Sequence, residues 1–222
     1  MIVLALDTST RWAGVAVMTG EGALFERVWR SEQNHGVELM PAVSGALGAA
    51  GITAQEVTHI AVAIGPGGFS ALRVGISAAI GIALPRGLPV VGITTFDLEA
   101  APYLRLASSA APVIVVIPAG RGELAWGRYE GPDGPVETGL SPAAALAAGW
   151  PAPARFCGEG AADLSQVLDA SRLLSGPPPT RSPGMLARLA RKRFEAGLSG
   201  DLNSIRPVYF RQPSITRPGP AA

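Results

Sequence analysis

Residues 59–95 constrain this chain most, because they read as a strand, a glycine loop, a buried helix and a second strand. Residues 59–64 are an apolar run of strand length. Gly65, Pro66, Gly67 and Gly68 interrupt it, and residues 70–84 have helical length before Pro85 and Gly87 stop them. Residues 89–94 form the next strand. Two apolar strands joined through such a helix make a right-handed crossover and require a parallel pair beneath the helix. From Val74 to Leu84 the helix carries no charge, whereas a helix with one face in water shows a polar stripe. Both faces therefore need cover. The sheet supplies one, and a bilayer is a poor second, since a run closed by Arg73 and Arg86 falls short of about 20 apolar residues. Ala71, Gly75, Ala79 and Ala83 recur every fourth position and let another backbone approach closely, either inside the chain or across a subunit interface.

Before this unit, residues 2–6, 12–18 and 24–29 read as three strands with tight connections, an antiparallel meander. Residues 35–50 supply an amphipathic helix ended by Gly51. After a short helix at 96–104 the pattern begins again, with strands at 113–117, 123–129 and 136–140, a helix at 142–149, a strand at 155–157 and a short helix at 161–168. Strands first and helices afterwards in both halves predict two similar lobes, 1–104 and 105–211, the second reduced. Residues 176–179 are a rigid proline-rich connector, 185–196 a helix with a basic outer face, and 212–222 an expected disordered tail.

A formal charge of +1 on 222 residues gives no general attraction to nucleic acid. The one basic cluster, Arg188, Arg191, Lys192 and Arg193, has the form of a solvated helix face. Cys157 is the only cysteine, so neither an internal disulfide nor a thiolate zinc cluster can form within the chain. Met1 runs straight into a strand without a basic leader, which makes a cytoplasmic protein without membrane association the expectation. Lys192, the only lysine, does not follow a glycine loop, which excludes a Walker-type phosphate loop.

Two loops offer phosphate-like chemistry. Asp7, Thr8 and Ser9 sit in a hairpin at the end of the first strand, where the same residue types are also ordinary turn formers. Gly65, Gly67 and Gly68 precede a helix whose first N–H groups are an anion site in principle and a tight turn otherwise. His35 and His59 show no metal-ligand spacing, and no serine has a nucleophile-elbow context, so neither a metal nor a catalytic residue is expected.

Several stretches together resemble the TsaB (YeaZ) family of bacterial tRNA threonylcarbamoyladenosine biosynthesis proteins, over nearly the full length. The opening ALDTSTRWAGVAVM is similar to that family's strand, DTST turn and second strand. The family's GPGSFTGxRxG signature stands here as Gly65, Pro66, Gly67, Gly68, Phe69, Ser70, Ala71, Leu72, Arg73, Val74, Gly75. PVVGITTFDLEA, HGVELMPAV, GEGA at 158–161 and RPVYFR at 206–211 extend the likeness. One departure is plain: where the family has Asp-Ala-Arg after the first strand of the second lobe, this chain has Pro118, Ala119, Gly120 and Arg121.

The resemblance implies an α/β, two-lobed fold of the actin, sugar-kinase and Hsp70 group, with a ribonuclease H-like core. It implies a non-catalytic subunit that pairs with a TsaD-like transferase and a TsaE-like ATPase, reaches tRNA through that complex, and forms a homodimer when alone. The chain itself would bind no cofactor, while the complex uses ATP and a metal held by the partner. With the resemblance in hand, the helix at 35–50 and the small-residue ridge are expected to form the partner interface, through His35, Leu39, Val43, Ala71, Gly75, Ala79 and Ala83. The alternative is an ATP-dependent phosphotransferase of the same fold, for which only the DTST hairpin is recognisable. A metallopeptidase, the older label for such sequences, finds no nucleophile, base or metal ligands.

Overall fold

The computed structural model describes residues 1–210 apart from 21, 23, 199 and 201, so the expected tail lies outside the described residues. Strands β1 (Val3–Asp7), β2 (Trp12–Met18) and β3 (Leu24–Arg30) form the meander, followed by α1 (His35–Ala49). The crossover is β4 (His59–Ala63), α2 (Phe69–Ala83) and β5 (Val90–Ile93). These five strands lie in one sheet of order β3-β2-β1-β4-β5, with β1, β4 and β5 parallel. A second sheet repeats the order without its last member: β6 (Val113–Pro118), β7 (Glu123–Tyr129), β8 (Glu137–Pro142) and β9 (Arg155–Cys157) run β8-β7-β6-β9. In both sheets the first strand pairs antiparallel with the second and parallel with the fourth.

Period-two alternation separates two cores on the first sheet. Leu4, Leu6, Ile60 and Val62 point one way, against Leu39, Val43 and Ala46 of α1 and Ile76 and Ala79 of α2. Their neighbours Ala5, Ala16, Ala61 and Ala63 point the other way, and these small side chains receive Leu186, Ala187 and Ala190 of α5 (Pro183–Glu195). Ser182 caps α5 by accepting from the backbone N–H of Gly184 and Met185, and Pro183 begins it, a regular helix start. The lobe boundary read from sequence therefore needs correction: α5 belongs in chain order to the second lobe, 105–211, but packs on β1 and β2 of the first.

On the second sheet, Val113, Val115 and Ile117 face Phe96 and Ala100 of α3 (Thr95–Ala100), while Ile114, Val116 and Phe156 face Leu146 of α4 (Ala143–Gly149) and Leu164. Thr94 caps α3 through the N–H of Asp97, and α3 lies between the sheets, with Phe96 in the second core and Leu98 in the first. The helix expected at 96–104 is thus shorter and continues only as a 3-10 turn, Leu104–Leu106. That expected at 161–168 is also a 3-10 segment, Glu159–Leu164.

By length and composition Phe69–Arg86 is apolar enough to cross a membrane, yet it serves as the crossover helix on the first sheet. Its faces also correct the interface reading. Gly75, Ala79 and Ala83 are buried against the protein's own core, as are His35, Leu39 and Val43 of α1; of the seven expected interface residues only Ala71 is partly exposed. The ridge is small because the first hairpin and sheet approach it. A Cβ on Gly75 would lie 2.4 Å from Thr8 Oγ1, and that hydroxyl donates to the Ala71 carbonyl at 2.6 Å. The faces turned outward are instead Ser70, Arg73, Ser77 and Gly81 on α2 with Leu84 just after it, and Val37, Met40, Ser44 and Gly48 on α1.

Candidate functional site in the interlobe cleft

The β1–β2 hairpin and the glycine loop are one locked unit. Gly68 N–H donates to the Ser9 carbonyl at 2.8 Å, and a Cβ on Gly67 would fall 1.9 Å from that same oxygen, so only glycine fits there. Gly65, with φ of 105°, is buried beneath the Val208 carbonyl. Asp7, Thr8 and Ser9 are buried rather than displayed. One carboxylate oxygen of Asp7 accepts from Ser9 N–H and Oγ at 2.8 and 2.6 Å, and the other accepts from Arg181 Nε at 2.7 Å. Of the expected phosphate-loop residues only Gly68 lines the cleft; Asp7, Thr8 and Ser9 are engaged in internal bonds, and Gly65 and Gly67 are packed against the Val208 and Ser9 carbonyls.

Arg181 was not among the sequence candidates, and it occupies the centre of this region. All five of its N–H groups are used: Nε on Asp7, Nη1 on Glu99 Oε1 at 3.2 Å and Glu159 Oε2 at 2.8 Å, and Nη2 on Thr10 Oγ1 at 2.7 Å and the Trp12 carbonyl at 3.1 Å. Thr10 Oγ1 in turn donates to Glu159 at 2.6 Å. The partners come from β1, its turn and the start of β2 in the first lobe, from α3 between the lobes, and from the 3-10 segment after β9 in the second. Three carboxylates share one guanidinium, those of Asp7 and Glu99 buried and that of Glu159 at the edge of the cleft. Burial opposes the arginine's charge, but Asp7, Glu99 and Glu159 outweigh it and raise its pKa further. For Glu99 burial dominates and pushes its carboxyl above the usual range, against the lowering by Arg181 and Thr180.

That direction gives a pH signature. A carboxyl whose folded pKa is raised binds its proton more tightly when folded, so its contribution is complete below the unfolded value, about 4.3, and is lost as pH rises through the folded one. Glu99→Gln should remove this loss: the stability of the variant relative to the parent should rise with pH across that window in urea titrations. A difference constant with pH would show Glu99 ionised throughout.

Above this plug lies an open cleft of about 710 Å³, bordered by Thr10, His35, Gly68, Ser70, Pro118 and Glu159. Pro118, in place of the family's aspartate, is the exposed last residue of β6, and Arg121 follows with φ of 55°. His35 Nε2 donates to the Thr10 carbonyl at 2.8 Å, which fixes the ring against the turn of the first hairpin. Among the described residues no group of three or more His, Cys, Asp or Glu is arranged to hold a metal; the converging carboxylates hold Arg181.

Two sheets of the same strand order, with a hairpin from each lobe facing a shared cleft, define an actin- and sugar-kinase-like α/β protein. The chain belongs to the TsaD family, described as tRNA N6-adenosine threonylcarbamoyltransferase, which matches residues 30–148. Within it the chain is similar to the tRNA threonylcarbamoyladenosine biosynthesis protein TsaB of Bacillus subtilis, 27% identical over 68% of this chain and 64% of that protein. It is also similar to TsaB of Escherichia coli, 31% identical over 59% of this chain and 55% of that protein. The matched region thus spans less than two thirds of either relative. The structure of YeaZ from Pseudomonas aeruginosa superposes with a TM-score of 0.77 at 26% identity, covering 94% of this chain and 99% of that one.

Proposed function

We propose that this chain is a non-catalytic subunit in the formation of threonylcarbamoyladenosine on tRNA, acting as scaffold and activator of a TsaD-like transferase. The observation that carries the non-catalytic role is the Arg181 plug, because the carboxylates of Asp7, Glu99 and Glu159 converge on its guanidinium rather than on an open metal or phosphate site. The role in tRNA modification is supported by the similarity to TsaB proteins and the match to the transferase family. ATP and metal chemistry then belong to the transferase and a TsaE-like ATPase, with tRNA reached through the complex in the cytoplasm.

The outward faces of α1 and α2 are the surface offered to the transferase. Val37 and Met40 are 78% and 48% exposed, Leu84 is 64% exposed, and an apolar groove of about 400 Å³ runs between Met40, Leu47, Gly48 and Ile82. The family match includes both helices, so a paralogous transferase carries counterparts of them and can meet this face about a pseudo-twofold axis. A second copy of this chain takes the same place when the transferase is absent.

Deleting the gene, in an organism without a duplicate, should lower threonylcarbamoyladenosine in bulk tRNA when nucleosides are quantified by mass spectrometry. Unchanged nucleoside levels would rule the role out. The phosphotransferase alternative has only the open cleft in its favour, and heat on titration with ATP and magnesium would revive it.

A further inference from the structure

Two-lobed proteins with a cleft commonly work by hinge closure, and the connection between lobes decides whether they can. Here the lobes meet at α3, whose alternating side chains enter both cores and whose two carboxylates, Asp97 and Glu99, are each taken by an arginine. The two arginines flank or end α5, the helix fixed to the first sheet. Arg181, before its first turn, reaches Glu99 and also spans from Asp7 of the first lobe to Glu159 of the second. Arg193, in its last turn, donates to the Gly92 carbonyl of β5 at 2.9 Å and faces Asp97 Oδ2 at 3.4 Å. The other oxygen of Asp97 accepts from the fully buried Tyr129 hydroxyl of β7 at 2.8 Å.

We propose that α5 is a bolt that holds the two lobes at one angle, fastened at its start through Arg181 to Glu99 and Glu159 and at its end through Arg193 and Asp97 to Tyr129. The helix from Pro183 to Arg193 alone spans roughly 15 Å at the usual rise, and Arg181 lies two residues before its start. A hinge that opened the cleft about either one would have to break the other. The fastenings differ in kind: the first is buried and shared among three carboxylates, while Arg193 is 40% exposed at its side chain and contributes mainly by geometry. This inference stands apart from the partner reading, since a locked pair of lobes is a property of the chain alone.

The test is a distance distribution between spin labels on cysteines introduced at Gln55 in the first lobe and Gln166 in the second, both exposed. Cys157 is fully buried, so labelling reads the introduced sites. The parent should give one narrow distance that does not change with ATP and magnesium. Arg193→Met, which keeps the buried cluster intact, should broaden the distribution about twofold or more as the lobes swing about the remaining fastening. Arg181→Met should do the same, and if it does not fold, Glu159→Gln weakens that end while leaving Arg181 on Asp7. A parent distribution that is already broad, or a variant at either end that superposes on the parent, would overturn the two-point bolt.

Discussion

Ala79→Arg should fail to fold. Ala79 is fully buried between α2 and the first sheet, so an arginine there overfills a packed core and buries an unpaired charge, a loss of about 3–5 kcal/mol or more. Against a total of roughly 5–15 kcal/mol for a natural protein, that is a large fraction of the stability. Circular dichroism should show the helical signal lost or its melting temperature sharply lowered. Ser77→Arg is the counterpart, two residues away on the opposite, exposed face of the same helix. It should melt within about 0.5 kcal/mol of the parent, as exposed substitutions do, yet weaken association about tenfold or more. If Ala79→Arg folds normally and Ser77→Arg associates normally, the orientation of α2 is wrong.

Arg181→Met is expected to be the second most damaging change. It leaves the buried carboxylates of Asp7 and Glu99 and the partly exposed one of Glu159 with no cation among them, and removing one member of a buried charged network costs about 3–5 kcal/mol. For a chain of this length that corresponds to a fall of roughly 10 °C in melting temperature. The deficit should shrink in acid, because protonating the carboxylates removes the repulsion that the arginine relieves. A variant within about 1 kcal/mol of the parent near neutral pH would mean that water, rather than Arg181, satisfies these carboxylates.

The crossover unit and both meanders were legible in the sequence because apolar runs, glycine breaks and helix lengths report local structure. Strand β7 at Glu123–Tyr129 and β9 at Arg155–Cys157 fall where the alternation puts them. Which way α2 faces was not legible. A ridge of Ala71, Gly75, Ala79 and Ala83 says only that something comes close; that the visitor is Thr8 of the first hairpin depends on tertiary structure. The site was hidden for a related reason. Arg181 lies 174 residues from Asp7, 82 from Glu99 and 22 from Glu159, just after the proline-rich connector at 176–179 that reads as a spacer. A clue was present, since one arginine sits just before the Ser182–Pro183 helix start, but nothing local names its partners. Placing α5 in the second lobe failed likewise, because sequence order cannot show a chain returning to its first sheet.

The central claim is that this chain acts through the outer face of α1 and α2 on a transferase-type partner and performs no chemistry itself. The most direct measurement is threonylcarbamoyladenosine formed on tRNA in a reaction reconstituted from purified components of the same organism: the TsaD-like transferase, the TsaE-like ATPase, ATP and threonylcarbamoyl adenylate. Product should accumulate when the parent chain and the transferase are both present, and fall to the level of the transferase alone with Ser77→Arg. Product formed by this chain without the transferase, or formation indifferent to Ser77→Arg, would contradict the account.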